Sequence, residues 1–255
     1  MSGRVIAVLQ ARMSSHRLPG KVLADLVGAP MLVRQIERIR RSRLIDELIV
    51  ATSTDQNDDP LAAVVQASRI PLYRGAMDDV LGRFAAALEG RKSQHVVRLT
   101  GDCPLADPHV IDAVIAHHLV VGADITSNTV VPTFPDGLDV EVVRTKSLLD
   151  AASEAGLRLE REHVTQFFYH RPDRFRIANY ALGEDLAHHR WTVDEPEDLD
   201  FVRSVYGALF ATKPDFGFQD VLGLLRENPG LVAINSRFER NEGLRRSEAE
   251  EPTEN

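Results

Sequence analysis

Three short stretches of this chain concentrate side chains able to hold a polyanion and the metal that accompanies one. Residues 12–21 gather Arg12, Ser14, Ser15, Arg17 and Lys21 around Pro19-Gly20, directly after an apolar run. Cations and hydroxyl donors on a loop leaving the carboxyl end of a buried strand suit a nucleotide triphosphate. The loop matches neither G-x-x-x-x-G-K-[ST] nor G-x-G-x-x-G, which disfavours a Walker loop and a standard dinucleotide site. The second stretch is Gly101-Asp102, at the end of the run HVVRLT. A carboxylate there can hold Mg2+, an ion that keeps several waters and takes few protein ligands. It could also cap the next helix, but Asp107, placed before Pro108, fits that role better and leaves Asp102 free. The third is TVDEPEDL, residues 192–199. It reads first as a helix start, with Asp194 capping and Glu197 and Asp198 favouring the dipole. One oxygen of Asp194 could cap while the other meets a metal.

Further groups carry weaker signals. Residues 134–141, FPDGLDVE, hold an ordinary Asp136-Gly137 turn, with Asp139 and Glu141 two apart and therefore on one strand face. They either line a cleft or belong to a half-exposed strand. Arg161-Glu162-His163 falls within a helical stretch and, alone, is a solvated face. Arg74-Gly75, with Asp79 and Arg83 just beyond, either contacts a base or makes a loop. His188-His189 lacks the i, i+4 spacing of a metal-binding helix.

These groups need strands and helices to position them, and the apolar pattern supplies both. Strands are predicted at residues 4–9, 47–52, 70–73, 95–99 and 124–127, with helices at 30–41, 61–67, 78–88 and 107–119 between them. The alternation predicts an α/β fold, a doubly wound and mostly parallel sheet. Beyond residue 127 the pattern loosens: strands at 138–143, 175–180 and 190–193, helices at 145–154, 160–169, 196–209 and 218–227. We expect one domain over residues 1–235, with about 130–185 an inserted α+β segment covering the sheet and serving the acceptor or a dimer contact. The charged residues 236–255 are expected to form a disordered acidic tail.

Composition narrows the function. The formal net charge of -8 and pI of about 5.6 argue against a nucleic-acid binder, so anion binding must be local. The single cysteine, Cys103, excludes an intrachain disulfide and a cysteine-rich metal site. With no apolar run near the roughly 20 residues of a membrane span and no leader-like start, the expected setting is the cytoplasm, without membrane partners.

Taken together and in order, QARMSS and RLPGK (10–21), RLTGDCP (98–104), PDGLDVE (135–141), REHVT (161–165) and TVDEPEDL (192–199) resemble the cytidylyltransferase family of acylneuraminate and KDO cytidylyltransferases. Within it, the pattern is nearest the branch of spore coat polysaccharide biosynthesis protein F. The resemblance covers about residues 4–210. It implies a nucleotide-diphospho-sugar transferase (GT-A-like) fold and a Mg2+-dependent nucleotidyltransferase that moves CMP from CTP to a small-molecule acceptor, a sugar acid or related polar metabolite for surface polysaccharide. It also implies a homodimer. By motif position, Arg12, Ser14, Arg17 and Lys21 would grip the triphosphate, and Asp102 and Asp194 would bind metal. Arg12, Lys21, Asp102 and Asp194 form the expected catalytic set. Gln10, Ala11, Thr52, Arg74, Gly75, Asp79 and Arg98 complete the expected nucleotide site. Asn128, Asp136, Asp139, Glu141, His163 and Arg190 form the expected acceptor side. One departure stands out: sialate enzymes carry A-R-G-G-S-K, where this chain has Arg12-Met13-Ser14-Ser15-His16-Arg17, which points away from sialic acid. The alternative reading is a glycosyltransferase of the same sheet architecture, which would commonly carry D-x-D where this chain reads Gly101-Asp102-Cys103-Pro104.

Overall fold

The structure, a computed structural model, describes residues 3–250, the side chains of 246, 248 and 250 excepted. Seven strands form one sheet: β1 Val5–Gln10, β2 Glu47–Ser53, β3 Leu72–Gly75, β4 His95–Thr100, β5 Ile125–Ser127, β6 Glu141–Arg144 and β7 Ile177–Asn179, in the order β3-β2-β1-β4-β6-β5-β7. All neighbouring pairs are parallel except those made by β6, which runs antiparallel to both β4 and β5. The helices are α1 Met31–Ile39, α2 Asp59–Ala67, α3 Val80–Ala87, α4 Pro108–Val121, α5 Thr145–Glu154, α6 Arg158–His163, α7 Gln166–Tyr169, α8 Pro196–Leu209, α9 Phe218–Glu227 and α10 Glu242–Glu250.

The central strands are mostly apolar because both faces are covered, with polar residues gathered at their ends and at Arg98. Val5, Ala7 and Leu9 point to a core shared with α1, α4, α8 and α9. Ile6 and Val8 point to a second core with α3, α5 and the buried phenylalanines Phe167 and Phe168. The period of two along β1 therefore splits one hydrophobic run between two layers. That leaves the carboxyl ends of β1 and β4 as polar openings in an otherwise covered sheet.

Several expectations change. Residues 130–185 do not simply cover the sheet: β6 lies inside it, between β4 and β5, and β7 forms its edge. The expected strand at 190–193 is not one. Arg190 makes an isolated bridge to Asp136, and the segment stitches loops together through Trp191 N to Asp136 O and Val193 N to Asp102 O (2.6 and 2.8 Å). The expected helix 160–169 breaks at Val164, which has φ 55° and is fully buried. Core burial of that side chain outweighs helical propensity and divides the stretch into α6 and α7.

Residues 236–250 are ordered in part as α10 rather than forming a disordered tail. Their charges are used in pairing: Arg237 with Glu197, Arg240 with Asp139, Glu242 with Arg17. Residues 251–255 of that expected tail lie outside the described residues.

Candidate active site

The loop after β1 is shaped by its own backbone. Met13 O accepts from Ser15 N (2.9 Å) and Gly20 N (3.0 Å), and Met13 N donates to the buried Asp58 (2.7 Å). Gly20, at φ 73°, then turns the chain into a short 3-10 turn, Lys21–Leu23, which carries Lys21 inward. The loop after β4 must pass close by: Gly101 N donates to Gln10 O (2.8 Å), and a Cβ on Gly101 would sit 2.8 Å from that of Ala11. Only glycine permits this approach.

Lys21 joins the distant motifs. Its ammonium donates to Val193 O and to Asp194 Oδ1, both at 2.7 Å, and lies 3.5 Å from Asp102 Oδ2. Burial works against the charge on Lys21, but the carboxylates of Asp102 and Asp194 outweigh it, and its pKa is raised. Burial likewise opposes the charge on Asp102, yet Lys21 and the Thr100 and Cys103 side chains leave its pKa lowered. The two carboxylates thus converge on one cation.

Asp194 is free for this because it does not cap α8. Asp198 Oδ2 accepts from both Asp194 N and Glu195 N at 2.9 Å, and Arg190 grips both oxygens of Asp198, also at 2.9 Å. Against the penalty of burial, Arg190 and these amides lower the pKa of Asp198. Asp107 caps α4 as expected, accepting from His109 N and Val110 N. Arg17 reaches the same place, with Nη2 2.9 Å from Asp194 and Nε 2.9 Å from Glu195.

A cleft of about 1280 Å3 opens over these groups. Gln10, Ala11, Arg12, Ser14, Arg17 and Lys21 line one part, and Asp102 and Asp194 its floor. Asp136, Asp139, Glu141, Arg98 and His163 line the rest. Arg98 pairs with Glu141, its cross-strand partner, and Tyr169 donates to the same carboxylate (2.9 Å). Burial, then repulsion from Asp139, pushes Asp136 up to about 7, and burial raises Asp139 despite Arg240. Burial, with Arg98 and Arg12 nearby, brings His163 down to about 4.

Six expected contacts lie away from the cleft. Thr52 is buried and donates to Asp58, the acceptor that holds Met13 N. Arg74 binds Ser53 O, Asp55 O and Asp59, tying β3 to the loop after β2, and Gly75 packs beneath Arg83. Asp79 caps α3 by accepting from Gly82 N (2.9 Å). Asn128 is fully buried, its amide bridging Leu138 O and Val140 N at 2.8 Å. Arg190 serves Asp198, as described. Thr52, Asn128 and Arg190 are buried polar side chains satisfied by backbone or charge, and they support the site from behind. His188 and His189 stack on one another, outside the cleft.

Arg83, weighed from the sequence as a base contact or a loop residue, lines the cleft, whereas Tyr169 and the C-terminal segment were not anticipated. Asn241, Glu242, Leu244 and Ser247 line the cleft too. The C-terminal residues had no local signal.

A mostly parallel sheet with a basic loop after its first strand, facing two carboxylates from separate loops, defines an α/β enzyme of the nucleotidyltransferase fold. The chain belongs to the cytidylyltransferase family, whose model matches residues 6–208. It is 32% identical over 232 residues to the spore coat polysaccharide biosynthesis protein SpsF of Bacillus subtilis, covering 88% of this chain and 95% of that one. It is 37% identical over 195 residues to the 3-deoxy-manno-octulosonate cytidylyltransferase of Chlorobaculum parvum, covering 71% and 75%. Among solved structures, a cytidylyltransferase from Leptospira borgpetersenii superposes with TM-score 0.85 at 27% identity, covering 90% of this chain and 96% of that one. A CMP:2-keto-3-deoxy-manno-octonic acid synthetase complexed with CTP shares the fold, with TM-score 0.64 at 18% identity and coverage of 80% and 99%.

Proposed function

We propose that this chain transfers CMP from CTP to a small polar acceptor, a sugar acid or a related metabolite of surface polysaccharide, with release of pyrophosphate. The observation that carries the reading is the ammonium of Lys21 lying between Asp102 and Asp194, beside Arg17, at the end of the central strands. Such a floor is built to place charge, which is most of what nucleotidyl transfer asks of a protein.

The acceptor oxygen attacks the α-phosphorus, the bond to the bridging oxygen of the β-phosphate breaks, and the acceptor's hydroxyl proton leaves to solvent or a carboxylate. Arg12, Arg17 and Lys21 take up the charge on the departing pyrophosphate, the arginines in two-point contacts and the lysine as a point charge. The residues fit Mg2+: two carboxylates converge on one cationic position. Asp102 and Asp194 would hold the ion, leaving its other positions to water and phosphate oxygens. When bound, the metal neutralises phosphate charge and orients the α-phosphate. Gln10 and Arg98 extend the nucleotide side of the cleft, and Asp136, Asp139, Glu141 and His163 shape the acceptor side.

The name of SpsF supports a polysaccharide setting for the acceptor. Among the described residues no helix is long and apolar enough to cross a membrane, which is compatible with work in the cytoplasm. We assign a homodimer built through the 130–185 segment, where Val130 and Val131 are exposed, and light scattering tests it. The activity test is pyrophosphate release with each nucleoside triphosphate against a panel of 2-keto sugar acids and other polar acceptors. Release with CTP alone supports the reading; free nucleotide from a nucleotide sugar, without pyrophosphate from CTP, contradicts it.

A further inference from the structure

The C-terminal segment enters the cleft although the family match ends at residue 208. Its approach is fixed. Asn235 donates to Arg190 O and to Asp198 Oδ1, both at 2.9 Å, and Arg190 Nη1 donates to Glu239 O at 2.9 Å. Arg240 then pairs with Asp139 and donates to Phe134 O (3.0 Å). The chain turns at Asn241, which adopts a left-handed φ of 62°. Beyond that turn, α10 reaches the loop after β1 and the end of α6. Glu242 lies 3.3 Å from Arg17 Nη1, and Ser247 Oγ is 2.9 Å from His163 Nε2.

Arg17 is therefore met by three carboxylates. Asp194 and Glu195 belong to the site's own loop, whereas Glu242 arrives from 225 residues away. Each side of its guanidinium is taken up, so an incoming phosphate must replace one of them. Glu242 is the one on a separate element behind a hinge.

We propose that residues 241–247 form a cover of the cleft that nucleotide displaces, with the Glu242 carboxylate holding the Arg17 guanidinium where a triphosphate oxygen binds. The proposal rests on the reading of this cleft as a CTP site. Residues up to Arg240 stay anchored on the acceptor wall, and α10 swings away about Asn241. The cover thus sets apparent CTP affinity: binding must first break the Glu242 and Ser247 contacts, together with the contacts of Arg245 to Glu239 and Arg240 O (2.9 Å) that span Asn241.

The test uses the full chain with CTP and Mg2+. In Glu242→Gln the amide keeps an acceptor for Glu239 N but loses the charge on Arg17. Its CTP affinity should rise roughly two- to fivefold, the worth of a partly exposed ion pair. Ser247→Ala should raise it too. Hydrogen exchange over 242–247 should accelerate when wild-type protein is saturated with CTP. Equal CTP affinity of wild type and Glu242→Gln overturns the proposal, as does exchange that is unchanged or slower on saturation. Failure of wild type to bind CTP would instead reject the nucleotide reading. The cover is then judged on the free protein: faster exchange over 242–247 in Glu242→Gln supports it, and equal exchange rejects it.

Discussion

At the residue scale, the account turns on Lys21. An ammonium buried beside two carboxylates is retained because removing either partner leaves uncompensated charge in a low-dielectric place. The same ammonium bridges the two carboxylates, Asp102 and Asp194, that we propose as the metal ligands. Lys21→Met should therefore lower pyrophosphate release at least about 100-fold. It should also raise the stabilisation that Mg2+ confers, since Asp102 loses its cation and Asp194 keeps only Arg17 and Arg190. Melting temperatures with and without Mg2+ check this; a variant as insensitive to Mg2+ as wild type contradicts it. That Asp102 and Arg17 face the cleft was legible from type and place, because both sit on loops leaving the carboxyl ends of central strands. Asp194 read first as a cap, but the cap position is Glu195, with Asp198 three residues on accepting from the Asp194 and Glu195 amides: acidic residues at a helix start look alike until the backbone fixes which one faces it.

At the element scale, the site depends on loops pinned to one another across the sheet's carboxyl edge. Val193 N and Thr192 Oγ1 both donate to Asp102 O, so the two carboxylate loops move as one. Gly137, at φ 104°, lets residues 136–138 pack on Trp191 and Thr192, where a Cβ would lie 2.5 Å from Thr192 N. Asn128 holds the same stretch from below. Asn128→Ala should lower stability by about 2–4 kcal/mol, since Leu138 O and Val140 N lose buried partners. Acceptor KM should move less than the melting temperature; the reverse pattern would restore Asn128 to the binding surface. The strands and helices through residue 127 were legible because a period of two and a period of 3.6 differ sharply in apolar runs. The reversed β6 was not. A four-residue strand is too short for its direction to leave a pattern, and its place between β4 and β5 is set by long-range pairing.

At the scale of the whole molecule, a sheet with two cores supports one cleft whose walls come from opposite ends of the chain. The C-terminal helix was illegible for that reason: its partners, Arg17 and His163, are far away in sequence, and its charges resemble those of a solvated tail. Charge buried at this scale also sets the response to acid. His118 is buried between His95 and Thr126, and burial, with His95 and Arg144, lowers its pKa to about 4. A histidine depressed in the fold contributes stability above its unfolded pKa, about 6.5, and that contribution is lost as pH falls toward 4. The loss is on the order of 3 kcal/mol for a shift of this size. Asp136, raised to about 7, acts in the opposite sense over about the same window. His118→Gln should flatten the fall in melting temperature between pH 6.5 and 4 relative to wild type; parallel curves would contradict the assignment.

We propose that Asp102 and Asp194 hold a metal against the phosphates of CTP gripped by the loop after β1. Calorimetric titration of CTP, with and without Mg2+, into wild type and the Asp102→Asn/Asp194→Asn double variant tests it without need of an acceptor. The account predicts that Mg2+ strengthens CTP binding to wild type and not to the double variant. Equal Mg2+ enhancement in both proteins, or its absence in wild type, would contradict it.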